Sequence, residues 1–154
     1  MLHVEPGAKS ELHVYASVGA SVLDPDRARL EFVLACDAPT DRAVELLTMA
    51  AWYHHTDGLG LDHSLPIGEP WLPGSSCDHL LVCRPYPFGP ELEWLRITDG
   101  DVRFLWLLPI TRAERELKRV AGTEALEQRF DDASLRYWDP LRRCVADKRD
   151  ASES

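Results

Sequence analysis

The sequence predicts an α+β domain, a mixed and largely antiparallel sheet of about five strands with helices packed on it. Three observations carry that prediction. Leu12, Val14, Ala16 and Val18 alternate with His13, Tyr15 and Ser17, the period-two pattern of a strand with one buried face. The apolar stretches Leu92–Ile97 and Val102–Leu108 flank Thr98-Asp99-Gly100-Asp101, and Asp-Gly suits the tight turn of a hairpin. Thr111-Arg112-Ala113-Glu114 is a capping box, in which a hydroxyl and a carboxylate three residues apart each satisfy the other's backbone donor at a helix start. A mixed, largely antiparallel sheet with helices packed on it belongs to the α+β class.

The elements follow in chain order. After the first strand, Gly19-Ala20-Ser21 breaks the alternation and Asp24-Pro25-Asp26 is turn chemistry. Leu30–Ala35 reads as a second strand. Asp37-Ala38-Pro39-Thr40 opens a helix with Thr40 or Asp41 as N-cap. That helix is expected to run to about Trp52, with Val44, Leu47 and Ala51 on one face. Between Gly58 and Gly74 stand four glycines and three prolines, which weaken or interrupt both helix and strand. No regular structure is expected there, and long loops inside compact domains are often functional. Cys77–Cys83 reads as a strand closed by Pro85 and Pro87. Val102–Leu108 is apolar on both faces from Phe104 onward, as a central strand covered on both sides should be. The helix opened by the capping box stops at Gly122, and Thr123 is expected to cap a further helix carrying Leu126 and Phe130. Residues 1–147 are read as a single domain and 148–154 as a polar tail expected to fray.

A chain of 154 residues buries roughly 68–70% of its unfolded surface and needs no staple. With 45% hydrophobic and 28% charged residues and a mean hydropathy of -0.26, it has the composition of a globular protein. Apolar runs reach only five residues, as in Phe104–Leu108, far below the ~18–20 of a membrane span. The opening residues carry no basic and apolar leader pattern, so the expected compartment is the cytoplasm. Cys36, Cys77, Cys83 and Cys144 form no CxxC pair and are read as reduced, mostly buried thiols.

The net charge of -9 is unevenly spread: residues 1–110 hold 7 basic and 16 acidic side chains, while residues 111–154 hold 10 of each. Proteins that bind nucleic acid neutralise phosphates with Lys and Arg, so nucleic acid is not the expected partner. A basic protein or extended peptide is, because the acidic part would steer it in.

Several residues could carry chemistry. His54, His55, Asp57, Asp62 and His63 are ligand types for zinc, but no HExxH or CxxC motif fixes their geometry. Cys77-Asp78-His79 pairs a thiol with a base, yet alternation puts Cys77 and His79 on one strand face and Asp78 on the other. A working triad needs its members in one hydrogen-bonded line. Glu91 and Glu93 share a face but do not converge across a cleft as glycosidase carboxylates do. Gly58-Leu59-Gly60 is no phosphate loop, lacking a third glycine and a lysine. Of the tryptophans, Trp94 and Trp106 are assigned to the core and Trp138 to packing under the last segment. Trp52 and Trp71, beside and within the long loop, are divided between packing and recognition, since Trp supplies disproportionate binding energy at interfaces.

Ser17-Val18-Gly19-Ala20-Ser21, Met49-Ala50-Ala51-Trp52, Gly60-Leu61-Asp62-His63, Cys77-Asp78-His79-Leu80-Leu81 and Phe104 to Glu114, in this order and spacing, together resemble the suppressor-of-fused (SUFU-like) domain family, bacterial single-domain type. Gly122–Leu126 and Tyr137-Trp138-Asp139-Pro140-Leu141-Arg142 resemble that family's closing helix and Asp-Pro element. The resemblance spans about residues 12–145. It implies a domain without catalytic activity or cofactor. Its animal member restrains a zinc-finger transcription factor by strand addition of an extended peptide, and bacterial members are implied as immunity proteins against polymorphic toxins. By this resemblance Asp62 matches the acidic residue that engages the ligand and Trp52 the aromatic at the preceding helix end. The animal protein's second domain has no counterpart in these residues, so its groove is not carried over.

The sequence is therefore read as a non-enzymatic module that sequesters or neutralises a protein partner. Trp52 and Tyr53 are its apolar anchors and Asp62 and His63 its polar contacts. No metal, membrane or nucleic acid is expected. The alternative is a metal-assisted hydrolase built on the His/Asp-rich loop.

Overall fold

A computed structural model describes residues 1–8, 10–22, 27–98 and 100–146. The Asp24-Pro25-Asp26 turn, Asp99 of the hairpin turn and the Lys148–Ser154 tail lie outside the described residues. Seven strands are seen: β1 (Leu2–Val4), β2 (His13–Ala16), β3 (Leu30–Cys36), β4 (Ser64–Pro66), β5 (Cys77–Cys83), β6 (Trp94–Ile97) and β7 (Gly100–Thr111). They form one mixed sheet in the order β1-β2-β3-β7-β5-β4, with β6 paired to β7 off that path. Three α-helices, α1 (Asp41–Asp57), α2 (Arg112–Ala121) and α3 (Thr123–Asp132), and three single-turn 3-10 helices (Ala20–Val22, Tyr86–Phe88 and Pro90–Leu92) complete the described elements. The α+β class holds, with two strands more than expected. β1 and β4 are three residues each, and β1 exposes all its side chains, so neither leaves a burial pattern in the sequence. β4 also lies inside the Gly/Pro-rich stretch expected to be irregular, where Pro66 sits at the strand's end as proline can.

The chain divides into two compact units, Met1–His63 with Val82–Leu108, and Ser64–Leu81 with Pro109–Ser154. In the first, β3 is buried along its whole length. It pairs antiparallel with β2 and parallel with β7, Phe32 opposite Leu105. The predicted burial face of the first strand is corrected: Val18 is 69% exposed, whereas Tyr15 and Ser17 are buried. The reason is polar. The Ser17 hydroxyl donates to the buried carboxylate of Glu31 and accepts from the Phe32 amide at 2.8 Å. Glu31 also receives the amides of Gly19 (2.7 Å), Ala20 (3.3 Å) and Ser21 (3.2 Å). A buried carboxylate with this many donors is satisfied rather than stranded. It organises the turn that the Gly19-Ala20-Ser21 break announced.

α1 packs on β3 and β2. Thr40 caps it by accepting from the Arg42 amide at 3.2 Å, and the Thr40 amide donates to the Tyr15 hydroxyl at 3.1 Å. Its buried stripe is Ala43, Leu46, Leu47, Ala50 and His54; of the expected face Leu47 is buried, whereas Ala51 is half-buried and Val44 exposed. The helix also runs five residues beyond Trp52.

In the second unit β4 pairs antiparallel with β5, Leu65 opposite Leu80. The Ile67 and Trp71 amides carry the pairing on to Asp78 and Cys77 carbonyls at 3.0 and 2.9 Å. Trp71 is 1% exposed, which assigns it to packing. The capping box is complete, with Thr111 amide to Glu114 carboxylate at 2.8 Å and Glu114 amide to Thr111 hydroxyl at 3.1 Å. Gly122, not Thr123, is the N-cap of α3, and it makes no side-chain cap. α2 and α3 pack on each other, with Leu126 and Phe130 buried.

Glu114 is wholly buried and does more than cap. Arg142 donates to its two oxygens at 2.8 Å each and to the Pro109 carbonyl at 2.9 Å. The Val145 amide adds a further bond to Glu114 at 3.0 Å. Burial works against the Arg142 charge, but hydrogen bonding and the charge of Glu114 outweigh it, and the guanidinium pKa is raised. Removing one partner of such a pair strands the other in a low dielectric. Arg142→Ala is expected to cost about 3–5 kcal/mol in urea unfolding; a loss close to that of an exposed ion pair would contradict this role.

Candidate functional site

Helix periodicity places His54 inward on the buried stripe of α1, and Trp52 and Tyr53 outward. They are 64% and 39% exposed, respectively. The Trp52 ring lies 5.4 Å from the His55 ring, tilted by 47°.

His54 is buried and bonds through both ring nitrogens. Nδ1 accepts from the Leu59 amide at 2.8 Å, so Nε2 carries the proton that is donated to the Ala28 carbonyl at 2.8 Å. The helix closes on Gly58, whose amide reaches the His54 carbonyl at 2.9 Å. Gly58 has φ 79°, a conformation that favours glycine, and a Cβ there would also press on the end of the Arg27 side chain at 2.8 Å. Arg27 in turn donates to the Thr56 carbonyl at 2.9 Å, a cation at the negative end of the helix.

The chain then makes a tight turn. The His63 amide donates to the Gly60 carbonyl at 3.2 Å, and the Gly60 amide donates to His63 Nδ1 at 3.1 Å. Asp62 sits at φ 71°, a left-handed conformation that Asp tolerates better than most residues. Two backbone bonds lock the turn to the end of β5: Asp62 amide to Val82 carbonyl at 2.9 Å and Val82 amide to His63 carbonyl at 2.8 Å. Asp62 and His63 both remain exposed.

Beside this turn is a pocket of about 230 Å³ whose lining includes Leu59, Gly60, Leu61, Arg29, Trp94 and Arg103. The assignment of Trp94 to the core is corrected: it is 52% exposed. All four β6 side chains are exposed. The hairpin register pairs Trp94 with Arg103 and Arg96 with Asp101. Arg103 lies over the Trp94 ring at 5.2 Å and bonds Glu93 at 3.0 Å. These pocket residues were missed, although counting outward from the Asp-Gly turn finds the Trp94–Arg103 pair. Trp106 is buried as expected, and Trp138 is half-buried, edge-on to Tyr137 at 4.8 Å.

The other chemistry considered does not assemble. Both nitrogens of His54 are already engaged. Among the described residues no three His, Cys, Asp or Glu side chains converge on a point that could hold a metal ion. Asp78 reaches round the strand to His79 Nδ1 at 2.8 Å, against the expectation that alternation keeps them apart. Burial is the largest effect on Cys77 and pushes its thiol up to about 11; Arg142 partly opposes this, while Glu114 adds to it. Burial and then Asp37 push Cys36 up to about 12. These are inert thiols rather than nucleophilic thiolates. Among the described residues no helix is long and apolar enough to cross a membrane.

A family model for Suppressor of fused protein (SUFU) matches residues 1–143. Among solved structures, the chain is similar to a suppressor-of-fused homologue from Neisseria gonorrhoeae, with 36% identity, a TM-score of 0.78, and coverage of 93% of this chain and 75% of that one. It shares its fold with Drosophila Suppressor of Fused, with 14% identity, a TM-score of 0.69, and coverage of 94% of this chain and 42% of that one. A chain of the Sufu–Fu complex has the same fold, with 16% identity, a TM-score of 0.65, and coverage of 94% and 75%. No curated protein matches the chain. The chain belongs to the suppressor-of-fused family.

The raised thiols give a pH prediction. A pKa that is higher folded than unfolded stabilises the fold below the unfolded value and loses that stabilisation as pH rises through the folded one. Denaturation midpoints should fall as pH climbs from 9.0 toward about 12. Cys36 and Cys77 should resist iodoacetamide in the folded chain; rapid native-state labelling of either would contradict their assigned burial.

Proposed function

We propose that this chain is a non-enzymatic protein-binding module that sequesters or neutralises a protein partner. Its contact surface is built from Trp52, Tyr53, Asp62 and His63. The observation that carries this reading is a large aromatic left 64% exposed on a helix whose opposite face is fully anchored. An exposed Trp on a rigid support loses little conformational entropy on binding and is the residue type that dominates interface energetics. Asp62, in the locked turn of the same unit, supplies a charged acceptor. The pocket lined by Leu59–Leu61, Trp94 and Arg103 offers room for a side chain of the partner.

The partner is an extended, basic segment of a protein. The net charge of -9 lies in residues 1–110, and such a field speeds encounter with cations and disfavours polyanions and anionic membrane surfaces. Membership of the suppressor-of-fused family supports binding rather than catalysis, and a member of this fold has been crystallised as the Sufu–Fu complex. Residues 1–147 act as one domain of this kind, since the family match runs through both compact units. The module works in the cytoplasm, and neutralising a toxin is the role we assign it.

The test uses wild-type chain to capture partners from native lysate and calorimetry to measure the one identified. Asp62→Ala is expected to weaken binding by at least ~1–2 kcal/mol, the scale of a lost charged hydrogen bond, without changing the unfolding midpoint. Equal affinity of variant and wild type would remove Asp62 from the contact surface.

A further inference from the structure

At the far end of the sheet from the loop site in strand order, β1 pairs, among the described residues, only with β2, through Leu2 with Ala16, His3 with Tyr15 and Val4 with Val14. Its side chains are all exposed, so apolar burial contributes little to holding it there. What stands out is a pair of imidazoles. His3 Nε2 lies 2.9 Å from His13 Nδ1 across the two strands. The His3 ring is stacked on Tyr15 at 4.2 Å with the planes 5° apart, and the Tyr15 hydroxyl is held by the Thr40 amide at 3.1 Å. His3 is thus placed against Tyr15 at the exposed edge, and its hydrogen-bond partner is a second nitrogen of the same kind.

We propose that His3 and His13 chelate a divalent late transition metal, copper(II) foremost, and that this ion ties β1 to β2. Imidazole nitrogen is a good ligand for copper, nickel and zinc, and for a given site affinity peaks at copper. The 2.9 Å between the two nitrogens is the length of a hydrogen bond between the rings, close enough for both to reach one ion once the bridging proton is gone. A rotation of the exposed His3 ring turns its lone pair from the opposite nitrogen toward a shared point, and the metal takes the place of the bridging proton. No third His, Cys, Asp or Glu side chain joins the pair among the described residues, so water fills the other positions. There is space for it: a hollow of about 500 Å³ opens beside His3, lined by Tyr15, Thr40, Asp41 and Val44 among others. A metal bound only by the paired strands favours the state in which they are paired. β1 then becomes a metal-responsive edge, independent of the loop that carries partner binding.

The full chain, stripped with chelator, is titrated with copper(II) sulfate in a non-coordinating buffer by calorimetry and visible absorption. One equivalent should bind, with the ligand-field band of a nitrogen-ligated tetragonal copper, and thermal unfolding should move upward. His3→Ala and His13→Ala should each weaken binding by at least about tenfold, while His63→Ala leaves it unchanged. His13→Gln, which keeps a hydrogen-bonding side chain but no imidazole, should behave like His13→Ala if the fold is intact by circular dichroism. Zinc chloride should need a higher concentration than copper for half-saturation. The proposal is overturned by the absence of copper binding, by equal binding in the His13 variants, or by loss of binding in His63→Ala.

Discussion

The candidate site depends on the imidazole of His54. It lies at the point where helix, strand entry and loop must be joined, and it joins them with two hydrogen bonds in opposite senses, accepting from Leu59 and donating to Ala28. Only a neutral imidazole offers one donor and one acceptor on a flat ring that can be buried in an apolar layer. The Phe32 ring meets it edge-on at 6.0 Å. Because His54 points inward, Trp52 and Tyr53 must point outward. Because Leu59 is held, the turn from Gly60 to His63 starts from a fixed place.

Buried carboxylates serve a related purpose in each of the compact units. Glu31 gathers the Ser17–Ser21 turn, and Glu114 gathers the segment around Arg142 and Val145. In both cases an acidic side chain occupies an element whose other residues are chosen for packing or capping, and a connecting segment folds around it. Burying a charge is costly unless every lone pair is used. The donors here come largely from backbone amides that would otherwise need partners themselves. Irregular segments are held by the same polar logic that caps a helix.

Much of the frame was legible in the sequence because it rests on local rules. The capping box at Thr111, the helix start at Thr40, the strands at Leu30 and Cys77 and the Asp-Gly hairpin all express short-range periodicity or turn chemistry. What escaped depends on distant partners. Val18 has the hydropathy of a core residue, but the chain has already left the strand by then, drawn aside by Glu31. His54 looked like one of several candidate ligands, and nothing in its neighbours announces that Ala28 and Leu59 will meet it. Hydrophobicity alone assigns Trp94 to the core, whereas the hairpin register sets it opposite Arg103 on the exposed strand. The expected end of the first helix falls five residues short, because the stretch to Asp57 is polar and periodic only through His54, so Trp52 stands within α1 rather than at the edge of the long loop.

The claim underlying this account is that His54 holds the recognition turn in shape. Amide hydrogen exchange on a His54→Phe variant, which fills the space but lacks both ring hydrogen bonds, tests it most directly. The account predicts that exchange at Leu59 and Asp62 quickens at least about tenfold while the β3 amides stay protected. Exchange at Leu59 and Asp62 as slow as in the unaltered chain would contradict it.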